Sequence, residues 1–188
     1  MILTMSPSHI YTDETGAVWP NVTSILKQAS LVDDRFFNDS ARERGKDVHL
    51  ATALYDNDDL DDGSISDTIR PYLDGWIKFR RESGFVPGMI EQIIHNEIHR
   101  YGGTLDRTGR MNGKQYLIDI KSGTVQPATA LQTMAYSECL EDHYKRGAVE
   151  LHANGTYKII EYKNDRQDRS VWYAALVLRN WKINKGVK

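Results

Sequence analysis

The sequence predicts a single α+β domain in which helices cover a mixed β-sheet. Three observations lead there. Helical spacing of apolar residues dominates as far as Gly84, strand-like alternation takes over in the middle, and the two then follow each other to the end. A chain of 188 residues is long enough to bury one core and too short for two comfortable domains. No repeat, low-complexity tract or linker divides it, so residues 1–188 are read as one unit.

Asn21 or Thr23 can cap a short helix running to about Ala29. A second helix starts near Asp39 and ends at Asp56, with Val48, Ala51, Leu54 and Tyr55 as its apolar stripe. The acidic stretch Asp56, Asp58, Asp59, Asp61 and Asp62 fails the calcium-loop template, because Leu60 falls where an oxygen ligand is needed; it reads as a solvated loop. Residues 66–84 form a third helix through Ile69, Leu73, Trp76, Ile77 and Arg80, with Pro71 in its first turn and Gly84 at its end. Residues 89–95, 97–110 and 114–123 read as strands, rich in Ile, Tyr and Leu. Residues 127–144 return to helical spacing through Leu131, Ala135, Cys139 and Leu140. Strands at 147–153 and 157–163 form a hairpin around Asn154-Gly155, and a helix from 168 to about 181 follows.

Composition narrows the function. Forty per cent hydrophobic and 27% charged residues are ordinary for a globular protein. The apolar runs are too short to span a bilayer, and the N-terminus lacks the pattern of a signal peptide, so a cytoplasmic protein without membrane partners is expected. The single cysteine, Cys139, excludes an intrachain disulfide and a cysteine-ligated cluster. A net charge of -2 argues against a protein that coats nucleic acid, but not against one gripping DNA through a local patch such as Arg42, Arg44 and Lys46.

The candidate chemistry lies between Gly103 and Gly123. With Asn112-Gly113 as a two-residue type I′ turn, Met111 faces Lys114 and the pairing runs back until Asp106 lands opposite Asp119. Directly opposed residues hold their Cβ atoms roughly 4.5–5.5 Å apart, so two carboxylates there need a cation between them, for which a divalent metal is the natural candidate. Lys121 points to the same side as Asp119, while Ile118 and Ile120 point into the core. Gly102 and Gly103 leave room for a bulge or for close approach of a substrate. A D-x-K pattern alone arises readily by chance; the register and the glycines are what make this one informative.

These residues belong to a longer series. Arg44-Gly45-x-x-Val48-His49, Glu91 in the strand before the hairpin, Gly103-Thr104-Leu105-Asp106, Asp119-Ile120-Lys121-Ser122-Gly123, and Gln132 with Tyr136 follow one another along the chain. In this order they resemble the RecB-like branch of the PD-(D/E)XK nucleases, particularly the small phage and prophage exonucleases. The resemblance implies a restriction-endonuclease-like core, a central mixed β-sheet flanked by helices. It implies hydrolysis of DNA phosphodiesters with magnesium or manganese, Asp106, Asp119, the Ile120 carbonyl and His49 holding the metal. Glu91 would serve a second metal or orient a water, and Lys121 would position the attacking water and offset charge on the phosphate. Gln132, Tyr136, Arg44 and Ser122 would contact substrate. Taken alone, His49 is more often a packed or surface histidine, and only the resemblance favours a ligand. By analogy the activity is an exonuclease on linear duplex DNA, 5′ to 3′, serving phage recombination or replication, with DNA and a single-strand annealing or binding protein as partners and an oligomer left open. A flap endonuclease and a non-catalytic DNA-binding module are the alternatives.

Overall fold

The computed structural model describes residues 2–32 and 38–187. Three short strands, β1 (Thr4–Met5), β2 (Tyr11–Thr12) and β3 (Val18–Trp19), form an antiparallel meander at the start. Helices α1 (Val22–Gln28), α2 (Asp39–Asp56) and α3 (Arg70–Ser83) come next. They are followed by β4 (Val86–Asn96), β5 (Tyr101–Met111), β6 (Lys114–Lys121), α4 (Ala128–Ser137), β7 (Lys145–Leu151), β8 (Tyr157–Tyr162) and α5 (Asp165–Lys185). The fold is α+β, as expected: β4 to β8 form one mixed five-stranded sheet in chain order. Only β6 and β7 run parallel, and α4 makes the crossover between them.

Local chemistry sets the ends of these elements. Asn21 is the cap of α1, its side chain accepting from Ser24 N–H, and Asn38 does the same for α2 through Ala41 N–H. Pro71 sits in the first turn of α3, and Gly84 ends it at φ 67°. Asn112 and Gly113 take φ values of 52° and 73°, the left-handed pair a type I′ turn requires. Several boundaries differ from the sequence-based expectation, among them the start of α3 at Arg70, of β4 at Val86 and of β7 at Lys145, and three of the differences have a visible local cause. Residues 97–100 form the turn before β5 rather than its start, with Arg100 at φ 51°. Helix α4 stops at Ser137, where Cys139 N–H bonds back to Tyr136 O in a tighter turn. Helix α5 begins earlier than residue 168 because Asn164 caps it, accepting from Gln167 N–H.

Each face of the sheet carries its own core. Against α1, α4 and α5 lie Tyr101, Leu105 and Leu117 with Ile25, Met134 and Trp172. Against α2 and α3 lie Ile118, Ile120 and Val149 with Val48, Trp76 and Phe79. Leu117 and Ile118 fall on opposite faces, as the period of a strand demands. Along β5 that alternation slips. Tyr101, Gly103 and Leu105 face the α4 side, whereas Gly109 and Met111 face the α2–α3 side. Asp56 also departs from expectation: it is not part of a solvated loop, since its carboxylate is fully buried, bonded by Trp76 Nε1 at 3.0 Å and Arg80 Nη1 at 2.7 Å. Asp58, Asp59, Asp61 and Asp62 are exposed, as read. Among the described residues no helix is long and apolar enough to cross a membrane.

Gly109 lies directly against the Phe85 ring and the Val86 carbonyl, leaving no space for a Cβ. Gly109→Ala is therefore expected to destabilise the protein by about 1–3 kcal/mol, read as a lower urea midpoint at unchanged slope.

Candidate metal centre

Three elements contribute one side chain each. His49 comes from α2, Glu91 from β4 and Asp106 from β5. His49 Nδ1 is 3.2 Å from Glu91 Oε1 and 3.7 Å from Asp106 Oδ1. One potential ligand atom from each lies within 4.8 Å of the others. An imidazole with two carboxylates is a donor set that suits a divalent cation, though it does not choose between magnesium and manganese.

The sheet is locally irregular where these residues meet. A bulge interrupts the β4–β5 register between Pro87 and Ile90, and Met89 N–H turns to Thr108 Oγ1 at 3.0 Å. Glu91 adopts φ 46°, a left-handed backbone that costs a residue of this kind about 1–3 kcal/mol. Between β5 and β6 the expected register holds from Met111–Lys114 to Arg107–Ile118 and ends there, one pair short of Asp106–Asp119. The reason is that Asp106 Oδ2 accepts the Ile120 N–H at 2.6 Å, so a side chain takes the place of the backbone rung.

Asp119 is buried with Lys121 Nζ 2.7 Å from its Oδ2, on the common side expected of them. Neither Asp119 oxygen accepts a well-directed hydrogen bond. Buried carboxylate oxygens normally have donors; among the described residues the charged partner of Asp119 is Lys121. Asp119 thus stands beside the His49–Glu91–Asp106 group rather than within it.

The charges perturb one another. Burial drives the Asp106 carboxyl up to about 6, with Asp119 and Glu91 adding to the rise and the positive charges of His49 and Lys121 opposing it. Burial would lower His49, but the negative charges of Asp106 and Glu91 and the hydrogen bond to Glu91 outweigh it and lift the imidazole to about 9. Glu91 moves down: burial pushes it up, and His49 together with Arg107, whose Nη1 bonds Glu91 Oε1 at 2.9 Å, more than compensates. Lys121 is raised, because the attraction of Asp119 and Asp106 exceeds the cost of burying its charge.

The remaining sequence-predicted residues gather around this group with roles of their own. Gln132 Oε1 lies 3.5 Å from Lys121 Nζ, and its Nε2 donates to Tyr136 OH at 3.1 Å, so the two share one helix face as expected. Burial raises the Tyr136 hydroxyl well above its ordinary value, keeping it a neutral donor. Arg44 turns inward, its Nε donating to Ser122 O at 3.3 Å and its guanidinium lying over the Tyr72 ring. It ties α2 to the end of β6. Ile120 offers its N–H to Asp106 and buries its side chain. Gly102 and Gly103 make no bulge; a Cβ on either would run into Leu3 Cδ1 at 2.7 Å or Tyr136 Cε1 at 2.6 Å. Tyr11, which the sequence reading missed, reaches in from β2 to hydrogen-bond Thr104 Oγ1 at 2.9 Å. No protein-family model and no curated protein matches the chain.

Because His49 is protonated at neutral pH, a cation binding there must displace its proton. Calorimetry near neutral pH in buffers of different ionisation enthalpy is expected to show release of up to one proton per Mn²⁺, fading as the pH passes the His49 value of about 9. In the metal-free protein, the stability contributed by the raised His49 is fully present below its unfolded value of 6.5 and is lost as pH rises through about 9. Denaturation midpoints of His49→Gln should accordingly vary less over that window than those of the wild type.

Proposed function

We propose that the protein is a metal-dependent deoxyribonuclease of the PD-(D/E)XK type, built on a restriction-endonuclease-like core and hydrolysing phosphodiester bonds of linear DNA. One observation carries the reading: the ligand atoms of His49, Glu91 and Asp106 converge within 4.8 Å, with the Asp119–Lys121 pair on the neighbouring strand. A structural salt-bridge network would not need Glu91 in a left-handed backbone or leave the buried Asp119 Oδ1 without a donor among the described residues.

In this reading His49, Glu91, Asp106 and Asp119 supply the ligands for magnesium or manganese. A bound divalent ion supplies polarisation of the phosphoryl oxygen and a more acidic water. Lys121, a third exposed at the rim, holds an attacking water and offsets charge as the phosphate is attacked. Gln132 and Tyr136 keep the ammonium oriented and present donors to the DNA backbone. The polarity 5′ to 3′, the duplex preference and a place in phage recombination follow from the resemblance alone.

The test is incubation of wild type, Asp119→Ala and Lys121→Met with end-labelled linear duplex and closed circular DNA, in magnesium, manganese or chelator. Metal-dependent loss of linear DNA only is expected, reduced in both variants by about 10²-fold or more. Cutting of the circle would make it an endonuclease. DNA binding without cleavage in any metal would make it a non-catalytic DNA-binding module.

A further inference from the structure

Arg107 is completely buried, and four of its contacts lead to the candidate centre or to its counter-charge. Nη1 donates to Glu91 Oε1 at 2.9 Å and to the Asp106 carbonyl at 2.6 Å. Nη2 donates to Thr52 Oγ1 at 3.1 Å, and that hydroxyl donates in turn to the His49 carbonyl at 3.0 Å. One rigid guanidinium therefore touches Glu91 by its side chain, Asp106 by its backbone and His49 through Thr52. The remaining edge, Nε, bonds Asp56 Oδ2 at 2.6 Å, a carboxylate with no exposed surface that Trp76 and Arg80 also hold.

We propose that Arg107, anchored by Asp56, is the positioning residue of the His49–Glu91–Asp106 centre; the inference rests on the metal-site reading above. The planar fork fixes directions as well as charge, which a lysine could not do. It engages Glu91 through Oε1, the oxygen that also faces His49 Nδ1, at the residue whose backbone is left-handed. Asp56 compensates the guanidinium, since a buried arginine without a carboxylate would not stay in place. Groups that orient metal ligands in this way change metal affinity by about 10–100-fold when removed.

The experiment measures Mn²⁺ binding to the full chain by the resonance of the free ion, beside the melting temperature of the metal-free protein. Asp56→Asn is expected to fold, to melt lower, and to weaken Mn²⁺ binding about tenfold or more. Thr52→Val cuts only the link to His49 and keeps the volume; a several-fold weakening is expected, and this variant carries the test if Asp56→Asn does not fold. A merely structural role would lower melting temperatures and leave the affinity of the folded protein unchanged, and that result overturns the proposal. If wild type takes up no Mn²⁺, the metal reading fails by itself. The positioning role is then decided by crystal structures of Asp56→Asn, in which Glu91 must leave its contact with His49, and of Thr52→Val, in which His49 must shift; unmoved side chains in both overturn it.

Discussion

Three carboxylates sit on neighbouring strands, Asp106 and Asp119 buried and Glu91 half-buried, and the surrounding structure answers the repulsion among them. Each finds a cationic partner. Lys121 comes from the same strand as Asp119, His49 reaches Asp106 from α2, and Glu91 is shared between His49 and Arg107. In a medium of low polarity an uncompensated carboxylate would take up a proton instead. The placement of α2 follows from this. It must present His49 at one point and its buried residues Val48, Ala51 and Thr52 around it, or the charges are left unanswered.

The same demand explains why the sheet is least regular at its centre. A continuous rung between Asp106 and Asp119 would set two buried charges side by side, whereas turning Asp106 onto the Ile120 N–H gives one of them a donor. Gly102 on one face of β5 and Gly103 on the other let Leu3 and Tyr136 approach more closely than a side chain there would allow. The N-terminal meander is thereby seated on the sheet by Gly102 N–H to Pro20 O and by the Tyr11–Thr104 hydrogen bond.

Much of this was legible in the sequence because a two-residue Asn-Gly turn sets a register that simple counting can follow. Counting identified Ile118 and Ile120 as core and put Lys121 beside Asp119. It failed at Asp106, since alternation carries no information about a side chain replacing a rung. The strands of the meander, two residues each, are too short to show a period. Asp56 looked like one acid in a solvated run, and what distinguishes it is an arginine 51 residues away. That signal was available: the register places Arg107 opposite Ile118, on a core face where a guanidinium must have acidic partners. His49 had no such signal, since its neighbours in space lie 42 and more residues along the chain.

That separation bears on the order in which the molecule assembles. The β5–β6 hairpin is local and can form early, in microseconds, and it carries Asp106, Arg107, Asp119 and Lys121 but neither His49 nor Glu91. His49 joins them only after α2 has docked across a gap that includes all of α3 and β4. A half-folded chain thus carries these acids without the imidazole of α2 that faces Asp106 and Glu91 in the finished structure. The centre is complete only when α2, β4 and the hairpin are together, and any ion that prefers the finished arrangement would act as a latch on the completed fold.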